Sequence, residues 1–186
     1  LYAKNAKEQL PVASLTKVLT AVVAFERFKL GDVVTITADQ VLVDKEKQTL
    51  YADEQLTVEQ LIQMMMVESS NDAAYALAYH GKLQGFDFVE AMNSQAAMLA
   101  MNDSHFIDPA GLDDLAFSTS EDMLKLVEYS LRYPQLWSIT TNKEVTITAL
   151  NGSIQHRSES TNQLLETLPG ITGGKTGYTE KALGCM

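Results

Sequence analysis

The hydrophobic positions at the front of the chain change from a helical to an alternating period. From Pro11 to Lys29 they recur three or four residues apart, as on one face of a helix, and Gly31 is a suitable stop. Residues 32–39 then alternate and are rich in β-branched side chains, and residues 48–56 show a similar alternation. We therefore expect one helix followed by two short strands.

The middle of the chain is mostly helical in pattern. Its apolar spacing predicts four helices, over residues 58–68, 72–80, 86–101 and about 118–133. The first begins at a capping box formed by Thr57 and Gln60, and the last begins at a second box, Ser118 with Glu121. Each box would satisfy two backbone amides that have no partner inside the helix.

A polar elbow separates the first two of these helices. The first helix carries Met64–Met66, which we expect in the core rather than as metal ligands. It gives way at residues 69–71, where Asn71 or Asp72 is expected to cap the second helix. Gly81 is expected to end that second helix.

Turn and strand signals dominate the last part of the chain. Residues 105–114, HFIDPAGLDD, predict a loop with Asp108 as a turn former. Residues 144–158 contain two alternating runs around Asn151-Gly152, a pair suited to a type I′ hairpin turn. Residues 171–179 then lead from a turn into a strand.

This order of elements predicts a single domain of the α/β (α+β) class. We expect an antiparallel sheet flanked by helices, with a mostly helical lobe inserted over about residues 40–140. The chain has 186 residues, of which 46% are hydrophobic and 20% are charged, so it can bury one sizeable core.

Charge and composition exclude several functions. The net charge is −10 and no dense cluster of Lys and Arg occurs, so nucleic acid is not an expected partner. The apolar runs are shorter than the roughly 18 residues that span a bilayer.

Cys185 is the only cysteine, which excludes an internal disulfide. His80, His105 and His156 lack the spacing of metal ligands, and no metal or other cofactor is expected.

The first candidate for chemistry is Ser14, three residues before Lys17. On a helix this spacing puts both side chains on one face, about one turn apart. A serine hydroxyl is a weak nucleophile unless a base takes its proton, and a lysine is a base only in its neutral form. Burial and a second nearby cation favour that form. Taken alone, the pair is better explained as a helix cap beside a surface lysine.

Three motifs in order change that balance. Ser14-Leu15-Thr16-Lys17 matches SxxK, Ser69-Ser70-Asn71 matches SxN, and Lys175-Thr176-Gly177 matches KTG. Each motif has a plain structural explanation, as a helix cap or a solvated strand lysine. The ordered set is much rarer by chance than any single motif, so it favours a serine enzyme.

With these motifs the sequence resembles the penicillin-binding serine peptidases, and among them the low-molecular-mass D-alanyl-D-alanine carboxypeptidases. The likeness runs almost end to end. LYAKNAKEQLPVASLTK resembles the family's approach to its nucleophile, DPAGLDD with STSEDM resembles its central loop, and KTGYTEKALGC resembles its last motif. The resemblance implies the serine β-lactamase/DD-peptidase fold and a reaction without a cofactor.

The resemblance also implies a role for each motif residue. Ser14 would be the nucleophile and Lys17 its base, with Lys175 as the second cation across the cleft. Ser69 would relay a proton to the leaving amine, and Asn71 would hold the substrate amide while bonding Lys17. Thr176 and Lys175 would bind the terminal carboxylate, and Gly177 would let two backbones approach. The backbone amides of Ser14 and Tyr178 would form the oxyanion hole.

The implied substrate is a peptidoglycan stem pentapeptide that ends in D-alanine, and β-lactam antibiotics would be covalent inhibitors at Ser14. Such a substrate places the enzyme outside the bacterial cytoplasmic membrane, in the periplasm or at the extracellular face. Family members commonly carry a further β-rich domain and an amphipathic anchoring helix. We therefore expect membrane association of a longer protein.

Three alternatives remain at this stage. Class A β-lactamases share the motifs, but residues 71–175 contain no Glu-x-x-Leu-Asn loop and the middle motif is not Ser-Asp-Asn. A D,D-endopeptidase uses the same catalytic residues. The family's carboxypeptidases often carry an Arg where this chain has Thr161, so carboxypeptidase and endopeptidase activity both stay open. The third is an inactive fragment, because the family has strands on both sides of residues 1–186. We expect both ends to be cuts and the sheet to be incomplete, and an isolated chain to be poorly stable or strand-swapped.

Overall fold

Seven α-helices and six short strands make up the part of the chain that the structure describes, residues 3–41, 43, 47–152 and 154–186. The structure is a computed structural model. The helices are α1 (Thr16–Arg27), α2 (Val58–Val67), α3 (Asn71–Leu83), α4 (Phe88–Met98), α5 (Ser120–Ser130), α6 (Pro134–Ile139) and α7 (Leu164–Thr167). The strands are β1 (Val33–Thr35), β2 (Gln55–Thr57), β3 (Glu144–Thr148), β4 (Gln155–Glu159), β5 (Gly177–Thr179) and β6 (Leu183–Cys185).

Within the described residues the strands form three separate antiparallel pairs and no continuous sheet. β1 pairs with β2, β3 with β4, and β5 with β6. In the last pair Gly177 lies opposite Cys185. The predicted antiparallel arrangement with an incomplete sheet is therefore confirmed. The division into two lobes stays a prediction.

Helix α1 is the centre of the core. Residues 16–24 are all buried, because α1 contacts α2, α4 and α5. A helix that is apolar on nearly all sides has to be surrounded in this way. Met64–Met66 are also buried, which confirms their predicted place in the core. Of the described helices, none is both long and apolar enough to cross a membrane.

The predicted elements at the front are right in kind and wrong in extent. α1 begins at Thr16, after a 3₁₀ turn at Ala13–Leu15, rather than at Pro11. The first strand covers three residues of the predicted eight, and the second begins only at Gln55. The backbone of residues 49 and 50 does not join a strand because its N–H groups bond to the carboxylate of Asp72.

The predicted caps of α3 are wrong. Ser70 is the N-cap, and its hydroxyl oxygen accepts the N–H of Ala73 at 3.0 Å. At the other end the helix runs past Gly81 to Leu83. Gly81 serves packing instead, because a Cβ there would lie 3.0 Å from the ring of Phe86. A glycine inside a helix is tolerated when it admits a close neighbour.

The second predicted capping box is also wrong. Thr119 caps α5 by accepting the N–H of Asp122 at 3.1 Å. Ser118 is engaged elsewhere, since its backbone pairs with Leu10 and its hydroxyl bonds Ser104. The short helix α6 has no counterpart among the predicted elements. It begins with a proline at its first turn, where a missing N–H does no harm.

The β3–β4 hairpin is confirmed, but its turn is not the predicted one. The N–H of Gly152 bonds the carbonyl of Ala149 at 2.8 Å, so Leu150 and Asn151 occupy the centre of the turn. Gly152 has a positive φ of 71°, and Asn151 is not among the described residues with positive φ. A type I′ turn needs positive φ at both central residues. The loop is held instead by the Leu150 N–H, which bonds the carbonyl of Gln55 at 2.7 Å.

Candidate active site

Ser14 lies in the 3₁₀ turn that leads into α1, and Lys17 lies in the first turn of that helix. Ala13 has a positive φ of 47°, an unusual conformation for a residue with a Cβ, so the chain bends sharply into the turn. As the spacing predicts, the two side chains meet. Lys17 Nζ lies 2.8 Å from Ser14 Oγ.

The amine of Lys17 is fully buried, and three oxygens of the described residues lie within hydrogen-bonding distance of it. Besides Ser14 Oγ, Nζ donates to Asn71 Oδ1 at 2.7 Å and to the carbonyl of Ala110 at 2.7 Å. The first motif is thus tied to the second motif and to the central loop. Three directed bonds fix the amine against the hydroxyl.

The carbonyl of Ala110 is aimed at Lys17 by Asp108. The carboxylate of Asp108 accepts four consecutive backbone N–H groups, of residues 110, 111, 112 and 113, at 2.6 to 3.0 Å. A carboxylate with this many donors fixes a loop firmly. Asp108 is therefore the predicted turn former, and it also sets one wall of the site.

Gly111 allows this loop to press against the nucleophile's turn. Its φ is +77°, and a Cβ there would fall 1.9 Å from the carbonyl oxygen of Ala13 and 2.7 Å from Thr16 Oγ1. No side chain fits at such distances. The sequence motifs do not include Gly111, Asp108 or the Ala110 carbonyl. The run of turn residues DPAGLDD was the only signal.

Ser69 lies at the elbow between α2 and α3 and has a positive φ of 64°. For a residue other than glycine this conformation costs about 1–2 kcal/mol, so the surrounding contacts must hold it. One of these contacts comes from the last motif. Lys175 Nζ donates to Ser69 Oγ at 2.9 Å.

Lys175 is 4% exposed and lies just before β5. Burial lowers its pKa to about 8, since the charged ammonium loses the surrounding water. Its second bond goes to the carbonyl of Thr176, at 2.7 Å. Burial raises the pKa of the neighbouring Cys185 thiol, whose sulfur contacts the carbonyl of Gly177.

The remaining residues of the last motif face the same region. A Cβ on Gly177 would lie 2.8 Å from Cys185 Sγ and 3.1 Å from the backbone nitrogen of Ser14, so the backbone of residue 177 passes close to the nucleophile's turn. The hydroxyl of Thr176 bonds that of Thr161 at 2.6 Å. Tyr178 follows in β5, and its side chain is exposed.

The structure thus brings the predicted residues together in two hydrogen-bonded groups. Ser14, Lys17 and Asn71 form one, and Ser69 with Lys175 forms the other. Gly177 links them, because it lies against the Ser14 amide and follows Lys175 in the same motif. The arrangement offers a hydroxyl beside a buried amine, and a second amine beside a second hydroxyl. That combination suits acyl transfer through a serine.

The surroundings of this cluster offer little other chemistry. Among residues 3–41, 43, 47–152 and 154–186, no three His, Cys, Asp or Glu side chains come together as metal ligands would. His156 is a satisfied core residue, since its ring bonds the carboxylate of Glu54 at 2.6 Å. A cavity of about 790 Å³ beside Lys175 and Cys185 is lined largely by apolar side chains.

Solved structures with the same fold support the predicted fold class. A DD-transpeptidase from Streptomyces superposes with a TM-score of 0.88 at 29% identity, covering 100% of this chain and 78% of that one. The D-alanyl-D-alanine carboxypeptidase of Mycobacterium tuberculosis gives a TM-score of 0.89 at 28% identity, covering 99% of this chain and 70% of that one. The predicted DD-peptidase fold is therefore confirmed.

Characterised relatives are longer than this chain. The D-alanyl-D-alanine carboxypeptidase DacF of Bacillus subtilis is 29% identical over 192 residues, which cover all of this chain and 49% of that protein. A D-alanyl-D-alanine endopeptidase of Pseudomonas aeruginosa is 30% identical and is covered to 61% of its length. The profile of the D-alanyl-D-alanine carboxypeptidase family matches residues 1–186. This chain therefore belongs to the D-alanyl-D-alanine carboxypeptidase family.

Proposed function

We propose that the protein is a serine D,D-carboxypeptidase, which removes the terminal D-alanine from peptidoglycan stem peptides through an acyl-Ser14 intermediate. The observation that carries this proposal is the set of neighbours around Lys17 Nζ. Two of them, Asn71 Oδ1 and the Ala110 carbonyl, can only accept hydrogen bonds. The third, Ser14 Oγ, can donate as well.

This set accommodates a neutral amine as well as an ammonium, since the Ser14 hydroxyl can donate or accept. A neutral lysine has two N–H groups and one lone pair, so the N–H groups serve the two acceptors and the lone pair faces the hydroxyl of Ser14. In that state Lys17 is placed to take the serine proton as the oxygen attacks. The proposal requires this neutral form at the moment of attack.

The other residues serve the later steps. Ser14 Oγ bonds to the carbonyl carbon of the scissile amide, and the backbone N–H groups of Ser14 and Tyr178 donate to the oxyanion. The C–N bond then breaks as Ser69, held by Lys175, relays to the departing nitrogen the proton that Lys17 took from Ser14. Water hydrolyses the Ser14 ester in the second half of the reaction, and Asn71 holds the substrate amide throughout.

Substrate recognition rests on the last motif. Lys175 and Thr176 would bind the terminal carboxylate, and the Thr161 hydroxyl already bonds that of Thr176. The main alternative is a D,D-endopeptidase, as the Pseudomonas aeruginosa relative is. The products separate the two, because a carboxypeptidase releases free D-alanine from a pentapeptide and an endopeptidase splits a cross-linked peptide dimer.

The proposed substrate has consequences for the setting of the protein. Peptidoglycan is assembled outside the cytoplasmic membrane, so we propose an exported protein at that location. We propose that the full protein is longer than residues 1–186 and is associated with the membrane. We also propose that the catalytic domain has two lobes. β-Lactams should acylate Ser14 because they present a strained amide next to a carboxylate.

The proposal is tested by locating a penicillin adduct. We expect one benzylpenicillin to bind covalently, and trypsin to release it on residues 8–17, where Ser14 and Thr16 carry the only hydroxyl groups. Fragmentation mass spectrometry should place it on Ser14. A folded protein without an adduct, or with the adduct outside this peptide, would contradict the proposal.

The pKa of Lys175 predicts a pH dependence of binding. Because burial lowers that pKa to about 8, the ammonium is charged below pH 8 and loses its proton as the pH rises further. At pH values above about 8, we expect an increase in the benzylpenicillin concentration that gives half the limiting rate of acylation. The increase should approach tenfold per pH unit. The penicillin methyl ester, which lacks the carboxylate, is the control and should show no such rise. An identical profile for acid and ester would show that Lys175 does not bind the carboxylate.

A further inference from the structure

A second buried carboxylate lies directly behind the middle motif. Asp72 is fully buried in the first turn of α3. Its Oδ2 accepts the N–H of Thr49 at 2.8 Å and that of Leu50 at 3.2 Å, and its Oδ1 accepts the N–H of Val43 at 3.1 Å. A buried carboxylate needs such donors to replace water. Asp72 therefore ties the start of α3 to the segment that precedes β2.

A chain of hydroxyl groups connects this carboxylate to the motif itself. Thr49 Oγ1 lies 3.2 Å from Asp72 Oδ2 and 2.5 Å from Ser70 Oγ. A carboxylate can only accept, so the Thr49 hydroxyl donates to Asp72 and accepts from Ser70. The Ser70 oxygen in turn accepts the N–H of Ala73. Every hydroxyl in the chain is satisfied, and every bond points towards Asp72.

This network fixes both ends of the middle motif. Ser69 precedes Ser70 and has the strained positive φ, so its direction depends on how firmly Ser70 is held. Asn71 follows Ser70 and carries the oxygen that meets Lys17. The partners of the two outer residues, Lys175 and Lys17, lie on other elements. A shift at the start of α3 would therefore weaken both contacts at once.

We propose that Asp72 is a positioning residue for the reaction, which holds Ser69 and Asn71 against their lysines without touching the substrate. This inference rests on the proposed function. In Asp72→Asn one carboxylate oxygen is replaced by an NH₂ group. This group faces a backbone N–H that the oxygen accepted, so at least one hydrogen bond is replaced by a repulsive contact between two donors. We expect the limiting rate of acylation to fall about 10- to 100-fold. The penicillin concentration at half of that rate should change less than the rate itself, since Lys175 and Thr176, which would bind the carboxylate, belong to the last motif.

The test compares two matched aspartates in the purified protein. Asp122 is also buried in the first turn of its helix and accepts the N–H of Asp103 at 2.9 Å and the hydroxyl of Ser104 at 2.8 Å. Asp122→Asn should lower the melting temperature and leave the limiting acylation rate at the wild-type value. Both variants and the wild type are measured with benzylpenicillin well below their melting temperatures.

Thr49 supplies an independent variant in case Asp72→Asn does not fold. Thr49→Val removes the hydroxyl at nearly constant shape and should lower the limiting rate, and Thr49→Ser should restore it. The inference is overturned if Asp72→Asn keeps the wild-type rate, if Asp122→Asn loses as much, or if Thr49→Val and Thr49→Ser behave alike. A wild-type protein that is not acylated would overturn the proposed function itself, which the other outcomes leave standing.

Discussion

Replacement of Lys17 by glutamine is expected to slow acylation of Ser14 by benzylpenicillin about 10³-fold, the usual contribution of a general base. Glutamine can still donate to Asn71 Oδ1 and to the Ala110 carbonyl, so the two acceptors keep a partner. It has no basic lone pair for the serine proton. The loss should therefore fall on the rate and leave the fold intact. Time-resolved labelling with a fluorescent penicillin measures the rate.

The matched control for this variant is Lys29→Gln. Lys29 is exposed and lies beyond the end of α1, so the same substitution is made away from the site. It should label at the wild-type rate with an unchanged melting temperature. If Lys17→Gln labels within about tenfold of the wild type, Lys17 is not the base, because a general base contributes at least about 10²-fold.

Replacement of Gly111 by alanine is expected to have the largest combined effect on stability and rate. The added Cβ would lie 1.9 Å from the carbonyl oxygen of Ala13, which belongs to the residue before the nucleophile. The loop or the turn has to move, and overpacking with backbone strain costs about 2–5 kcal/mol in the free energy of unfolding. A displacement of Ser14 by about 1 Å would slow acylation about 100-fold. Chemical denaturation and fluorescent labelling measure the two effects.

Gly85→Ala separates steric overlap from backbone strain. Gly85 has a φ of +90°, and a Cβ there would have no neighbour within 4 Å. This variant should lose about 1 kcal/mol, from the left-handed conformation alone, and label at the wild-type rate. If the two variants lose the same free energy of unfolding, the overlap with Ala13 costs no stability and the chain relieves it by a small movement.

The sequence predicts the residues whose side-chain chemistry is distinctive. Ser14, Lys17 and Asn71 were identified from their motifs, and the structure brings them into hydrogen-bonding contact. The other acceptor beside Lys17, the Ala110 carbonyl, is not part of any motif. Every residue has such a carbonyl, and only the fold decides which one is turned towards Lys17. Backbone groups therefore escape motif analysis even where they complete a site.

The errors in the caps have a similar cause. Ser70, Asn71 and Asp72 can all cap a helix, so their types do not decide among them. The structure assigns the cap to Ser70, because Asp72 is engaged by the distant Thr49 and Asn71 by Lys17. Competition between local and long-range partners is settled by tertiary packing, which a local pattern does not contain.

The hydrogen bonds of Lys17 and Lys175 join parts of the chain that are far apart in sequence. The separations are 54 residues to Asn71, 93 to Ala110 and 106 from Lys175 to Ser69. Contacts over such distances form late in folding, because long loops must close first. A partly folded chain would hold the Ser14 and Lys17 pair on one nascent helix and still lack the groups that complete the site. The fraction of molecules that a penicillin labels during refolding would therefore count the molecules that have reached the native topology.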